Sequence, residues 1–158
     1  MSDATKTDML NLCRLLDSYC PDSINCGEVK PINPGHPIHD AIVKLQTKLP
    51  DRRLPPNARS HWRELLRYSR AGDGRAFDAA DRLASWARRY TTLTDSEHLC
   101  LQAVEKLSER GISPIRDTHV AEYAGFKTND AVRRHLASLV NKGWLKSSKR
   151  DGYIVSSL

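Results

Sequence analysis

Arginine has the clearest chemistry to offer in this sequence. In the stretch GFKTNDAVRRHLASLVNKGW, Gly125 to Trp144, Arg133 and Arg134 follow a Thr-Asn-Asp cluster. A guanidinium can pair two donors with O6 and N7 of guanine, and a small residue such as Ala137 lets a helix sink into the major groove. On helical spacing Asp130, Arg133, Arg134, Ala137 and Asn141 stand opposite the apolar Val132, Leu136, Leu139 and Val140. The polar face therefore suits a base edge. The plainer reading is solvated charge on an ordinary helix.

A second arginine set, Arg59, Arg63, Arg67 and Arg70, is spaced four, four and three apart and so lines one strip of a helix. Such a strip could lie along phosphates and add salt-sensitive affinity. Two other uses stay open: a solvated face paired with acids such as Asp73 and Asp78, or a dock for an acidic partner or a second subunit. Cys13, Cys20 and Cys26, with His36 and His39, invite a zinc reading, but no C-x-x-C pair is present. Cys13 and Cys20 fall on an apolar stripe where buried thiols belong, as does Cys100, so no metal and no cofactor are expected. The histidines are scattered, and His135 sits at the edge of a core stripe. No nucleophile, base and orienting acid form a motif, and no glycine loop could cradle phosphate, so no enzyme is expected.

These side chains need elements to hold them. Met9, Leu12, Cys13, Leu16, Tyr19 and Cys20 predict a helix over roughly Thr5 to Tyr19 that needs a partner. The segment PDSINCGEVKPINPGHP is too rich in proline and glycine for regular structure and predicts a loop over about 20–37. Ile38, Ala41, Ile42, Leu45 and Leu49 restart the helical period. A third helix, capped by Asn57, carries Ala58, Trp62, Leu65, Leu66 and Ser69. A fourth, about Arg75 to Tyr90, carries Phe77, Ala80, Leu83, Ala84, Ala87 and Tyr90. Short turns between such helices imply antiparallel neighbours.

Thr94 and Glu97 fit a capping box, and a new domain is predicted to begin there. Gly111 closes that helix, Val120, Ala121 and Ala124 mark a short one, and Gly125 turns the chain into a helix capped by Thr128 and stopped by Gly143. Two helices across a tight glycine turn make a helix-turn-helix. In WLKSSKRDGYIV two strand-like pieces flank Asp151-Gly152, a dipeptide suited to a hairpin turn. Such a hairpin is a wing bearing Lys146, Lys149 and Arg150. The fold class is mainly α: a helical domain over 1–90, then a winged helix over 91–158.

Composition agrees with a basic, mostly helical protein. Among 158 residues, 25 Lys and Arg outnumber 19 Asp and Glu for a net charge of +6, and aromatics are only 6%. The excess is clustered: Lys127, Arg133, Arg134, Lys142, Lys146, Lys149 and Arg150 face the single acid Asp130. Clustered positive charge favours polyanionic partners. No run of about 18 apolar residues occurs and the start MSDATKTD lacks a signal-peptide layout, so a cytoplasmic protein with no membrane partner is expected.

The stretch LTDSEHLCLQAVEKLSERGISPIRDTHVAEYAGFKTNDAVRRHLASLVNKGWL resembles the winged-helix DNA-binding domain of LexA-type repressors, most closely through GISP, VAEYAGFKTNDAVRRHLASL and KGWL. The resemblance covers the last 65 or so residues and nothing before Thr91. It implies double-stranded DNA as partner and a recognition helix starting at Thr128. Thr128, Asp130, Ala131, Arg133 and Arg134 would then stand at the DNA-reading positions, with Lys127 and Asn129 beside them. Asp130 replaces the family's usual asparagine, and Arg133 and Arg134 replace acids, so a different operator is expected. The self-cleaving protease domain has no counterpart in this sequence, and damage-triggered autoproteolysis is not expected. The reading is a sequence-specific transcriptional regulator, a bacterial or phage repressor binding as a homodimer through the helical domain. Its rivals are a non-specific nucleic-acid binder, and a mobile-element or replication adaptor that docks on a protein partner.

Overall fold

Three-four apolar spacing becomes helix through most of the chain. A computed structural model describes residues 2–19 and 28–156, which form seven α-helices and one small antiparallel hairpin. The chain divides into two units, Met1–Thr92 and Leu93–Leu158. Among the described residues no helix is long and apolar enough to cross a membrane.

In the first unit α1 (Asp3–Tyr19) buries Met9, Leu12, Cys13 and Leu16. This stripe packs on α4 (Arg75–Thr91) and on α2 (Pro37–Gln46), so the partner that α1 requires lies within the unit itself. α3 (Pro56–Arg70) starts one residue before its expected cap: Pro55 takes the capping position and Asn57 lies inside the helix. Pro56 suits the first helical position because its missing N–H would find no partner there in any case. α3 and α4 run antiparallel, as Glu64 meets Arg82 at 3.3 Å while Arg75 lies over the Tyr68 ring near the turn.

Several core members escaped the sequence reading. Ala76, Ala79 and Trp86 are buried on α4, with Trp86 stacked on Tyr90 at 4.8 Å. Residues 20–27 of the expected loop lie outside the described residues, but its remainder does more than link, since Ile32 is fully buried and donates its N–H to Ser69 Oγ at 3.2 Å. Leu66 and Phe77, expected in the core, are only half-buried, and Phe77 lies against Tyr19 at the end of α1.

In the second unit α5 (Asp95–Glu109), α6 (Asp117–Ala124) and α7 (Asn129–Asn141) enclose Leu101, Val104, Leu107, Val120, Val132, Leu136 and Leu139. The capping box at Thr94 is formed: its Oγ1 accepts the Glu97 N–H at 3.2 Å, and Glu97 Oε1 accepts the Thr94 N–H at 3.1 Å. Gly125, at φ 77°, turns the chain between α6 and α7. Strand β1 (Leu145–Ser148) then pairs with β2 (Gly152–Val155), Ser148 opposite Gly152 and Leu145 opposite Val155.

The hairpin differs from expectation in its turn. Lys149, Arg150 and Asp151 form a three-residue connection, and Gly152 opens β2 instead of sitting in a two-residue turn with Asp151. The reason is a third backbone, because Ile115 bridges to Gly152 and its carbonyl accepts the Tyr153 N–H at 3.0 Å.

The capping carboxylate has a second duty. Glu97 is buried, and it also receives Ser138 Oγ at 2.9 Å and Lys142 Nζ at 3.0 and 2.9 Å, tying the start of α5 to the end of α7. Burial pushes its pKa up, but the donors from Lys142, the Thr94 main chain and Ser138 outweigh that and hold it at about 2. A depressed folded-state value stabilises above the unfolded carboxyl range, and the contribution is lost as pH falls toward the folded value. Glu97→Gln should therefore lose on the order of 2 to 3 kcal/mol at pH 7. Urea titrations should show the gap to the parent closing between pH 5 and about 2.

Candidate nucleic-acid interface

α7 begins where Thr128 Oγ1 accepts the Ala131 N–H at 3.4 Å. Its outward face carries Asn129, Asp130, Arg133, Arg134 and Ala137, all exposed, with Lys127 and Thr128 exposed just ahead of it. Ala131 is half-buried at the rim, and His135 is half-buried with its ring 5.8 Å from Phe126. On the hairpin Lys146, Lys149 and Arg150 are exposed, the last two within the turn itself.

Helix and hairpin turn meet around one cleft of about 290 Å³, lined by Arg116, Asp117, Arg133, Ser147, Ser148, Lys149, Gly152 and Tyr153. Arg116 Nη2 donates to the Lys149 carbonyl at 2.8 Å, which ties the hairpin turn to the start of α6. The next residue, Asp117, takes Arg133 Nε at 2.5 Å, and Asp130 takes Arg133 Nη1 at 3.5 Å. The Arg133 guanidinium holds the Asp117 carboxyl below its ordinary range and is itself made harder to deprotonate. Arg133 and Arg134 are neighbours in sequence but not equivalent, since Arg133 is held by a carboxylate from another helix.

Sequence reasoning missed Arg116, Asp117 and Tyr153. Asp117 carries a local signal, an acid in the first turn of a helix, which explains it by the helix dipole alone. Its meeting with Arg133, 16 residues on, needs the angle between α6 and α7.

The arginine strip of the first unit is divided in the same way. Arg59 is half-buried and donates Nε and Nη2 to the Leu54 carbonyl at 3.3 and 3.0 Å, and Arg70 donates Nε and Nη2 to the Ile32 carbonyl at 3.3 Å each. Arg63 is exposed, whereas Arg67 lies over the Tyr68 ring and bonds its hydroxyl at 2.8 Å. Asp73, suggested as a local partner, pairs with Arg75 instead. Half of the strip therefore anchors loops to α3.

Of the residues weighed for zinc, Cys20 and Cys26 lie outside the described residues. Cys13 is buried with its thiol donating to the Ala84 carbonyl at 3.5 Å, His36 Nδ1 caps α2 by accepting the Ile38 N–H, and His39 lies against Trp62. Burial pushes the Cys13 thiol up, and the Cys100 thiol up to about 11.

The hairpin that presents Lys149 and Arg150 depends on a glycine. At Gly152 φ is 68°, and a Cβ would stand 2.3 Å from the Ile115 carbonyl oxygen. Gly152→Ala should destabilise the second unit by about 2 kcal/mol or more through strain and lost pairing. Hydrogen exchange should show the Tyr153 amide losing protection first.

Compared with known proteins, the chain matches no family model, no curated protein and no solved structure.

Proposed function

We propose that the second unit is a winged helix that binds double-stranded DNA, with α7 entering the major groove and the hairpin as its wing. The whole chain then acts as a sequence-specific transcriptional regulator, most simply a repressor, with a binding and not a catalytic role. One observation carries this reading: Arg133 of α7 and Lys149 of the hairpin turn border the same cleft, linked through Asp117 and Arg116. A groove-reading helix and a backbone-touching hairpin need that adjacency, because one fixes the register that the other reads. A single helix of this length covers few base pairs, so a homodimer on paired half-sites completes the proposal.

A protein-docking adaptor is the second reading, favoured by Asp130. Its side chain is 89% exposed on the face that would approach phosphates, where a carboxylate opposes binding. Selection from random duplex at low and at moderate salt separates the two. The DNA reading expects one enriched motif at both salt levels; the adaptor reading expects none.

Two sets of variants sharpen the test. Arg134→Ala should weaken the selected site by about 1 to 3 kcal/mol and random duplex little, as befits a base contact. Replacing Lys149 and Arg150 together by alanine should weaken every duplex and flatten the salt dependence by about two units. Equal losses on selected and random DNA for Arg134→Ala, or an unchanged salt slope for the double variant, would count against these roles.

A further inference from the structure

We propose that Asp117 is a positioning residue for base specificity on this surface: by holding the Nε edge of Arg133 it aims the remaining guanidinium edge at a guanine. The inference rests on α7 being the helix that enters the groove. An arginine side chain is long and loses much rotamer freedom when it settles on a base, so an arginine already held in place reads more selectively than a free one. Arg133 meets that condition, because its Nε is bound at 2.5 Å by a carboxylate on a different helix.

The two partners differ in a way that matters. The Asp117 side chain is 19% exposed and that of Arg133 is 61% exposed, so the anchor is set in the protein while the tip stands at the surface. Of the five guanidinium N–H groups Nε uses one on Asp117 and Nη1 one on exposed Asp130 at 3.5 Å, which leaves three. With the Asp130 contact given up, the exposed Nη1 and Nη2 end presents two parallel N–H groups, which is the pattern that guanine O6 and N7 accept. Asp117 also removes net charge from the surface, which lowers attraction to phosphate in general. Both effects point the same way, toward base preference over non-specific affinity.

The test uses the full chain and the duplex it selects. Arg133→Ala first identifies the base pair whose preference depends on Arg133, where the parent should favour guanine by roughly tenfold or more over the other bases. Asp117→Ala should reduce that preference to about two- to threefold while affinity for random duplex holds or rises. Asp117→Ser keeps a hydroxyl at the start of α6 and is too short to reach Nε, so it should act as Asp117→Ala does even if the alanine variant folds poorly. Adding Asp117→Ala to Arg133→Ala should change base preference no further. Full guanine preference in Asp117→Ser, or an equal loss on all duplexes that persists in the Arg133→Ala background, overturns the assignment and leaves the DNA-binding reading standing. A parent that selects no duplex overturns the α7 reading and this assignment with it.

Discussion

The buried carboxylate of Glu97 is the contact on which the second unit turns. It closes the capping box of α5 and accepts Ser138 and Lys142 from the last turns of α7, so one side chain sets both the start of one helix and its position against another. A buried charge is tolerable only when its lone pairs are filled, and here three separate donor groups fill them. α7 is thus fixed at its C-terminal end by Glu97 and toward its N-terminal end by the Arg133 to Asp117 pair. Its outward face is presented by a rod held at two points.

Between those two points the face is shaped by what other elements take from it. Arg133 is engaged sideways by Asp117, whereas Arg134 stands exposed. The hairpin is held by Arg116 on the Lys149 carbonyl and by the Ile115 bridge, so its basic turn is a supported projection. Backbone held in this way positions the turn, and the pair with Asp117 positions Arg133, at no further ordering cost when a ligand arrives.

The first unit is organised by close approach. Ala76, Ala79, Ala80, Ala84 and Ala87 form the buried side of α4 and admit its neighbours near the backbone, while Trp86 and Tyr90 fill the remaining width. Arg59 and Arg70 donate to carbonyls that no helix satisfies, those of Leu54 and Ile32. An arginine can serve so because its fork supplies parallel donors while its stem covers apolar surface.

What the sequence determined by itself is local in range. The capping box of Thr94 and Glu97, the cap at Thr128, the turn at Gly125 and most of the stripes of α1, α4 and α7 depend on residues a few places apart and formed as expected, while Tyr19, Phe77 and Val140 at the stripe edges are half-buried. Where local signals competed, the reading slipped by a residue or two: Pro56 displaced Asn57 as the start of α3, and Ile115 moved Gly152 out of the turn. The folded chain alone decided the pairings at long separation. Glu97 with Lys142, Arg133 with Asp117, Arg70 with Ile32 and Ile115 with Gly152 are set by how helices cross and where loops return, which no periodicity encodes. The sequence could nominate four arginines of a strip and two of a helix, because their spacing places them on one face. Only tertiary structure could decide which of them are anchored to carbonyls or carboxylates, since the acceptors sit in loops that fold back onto α3 or on another helix.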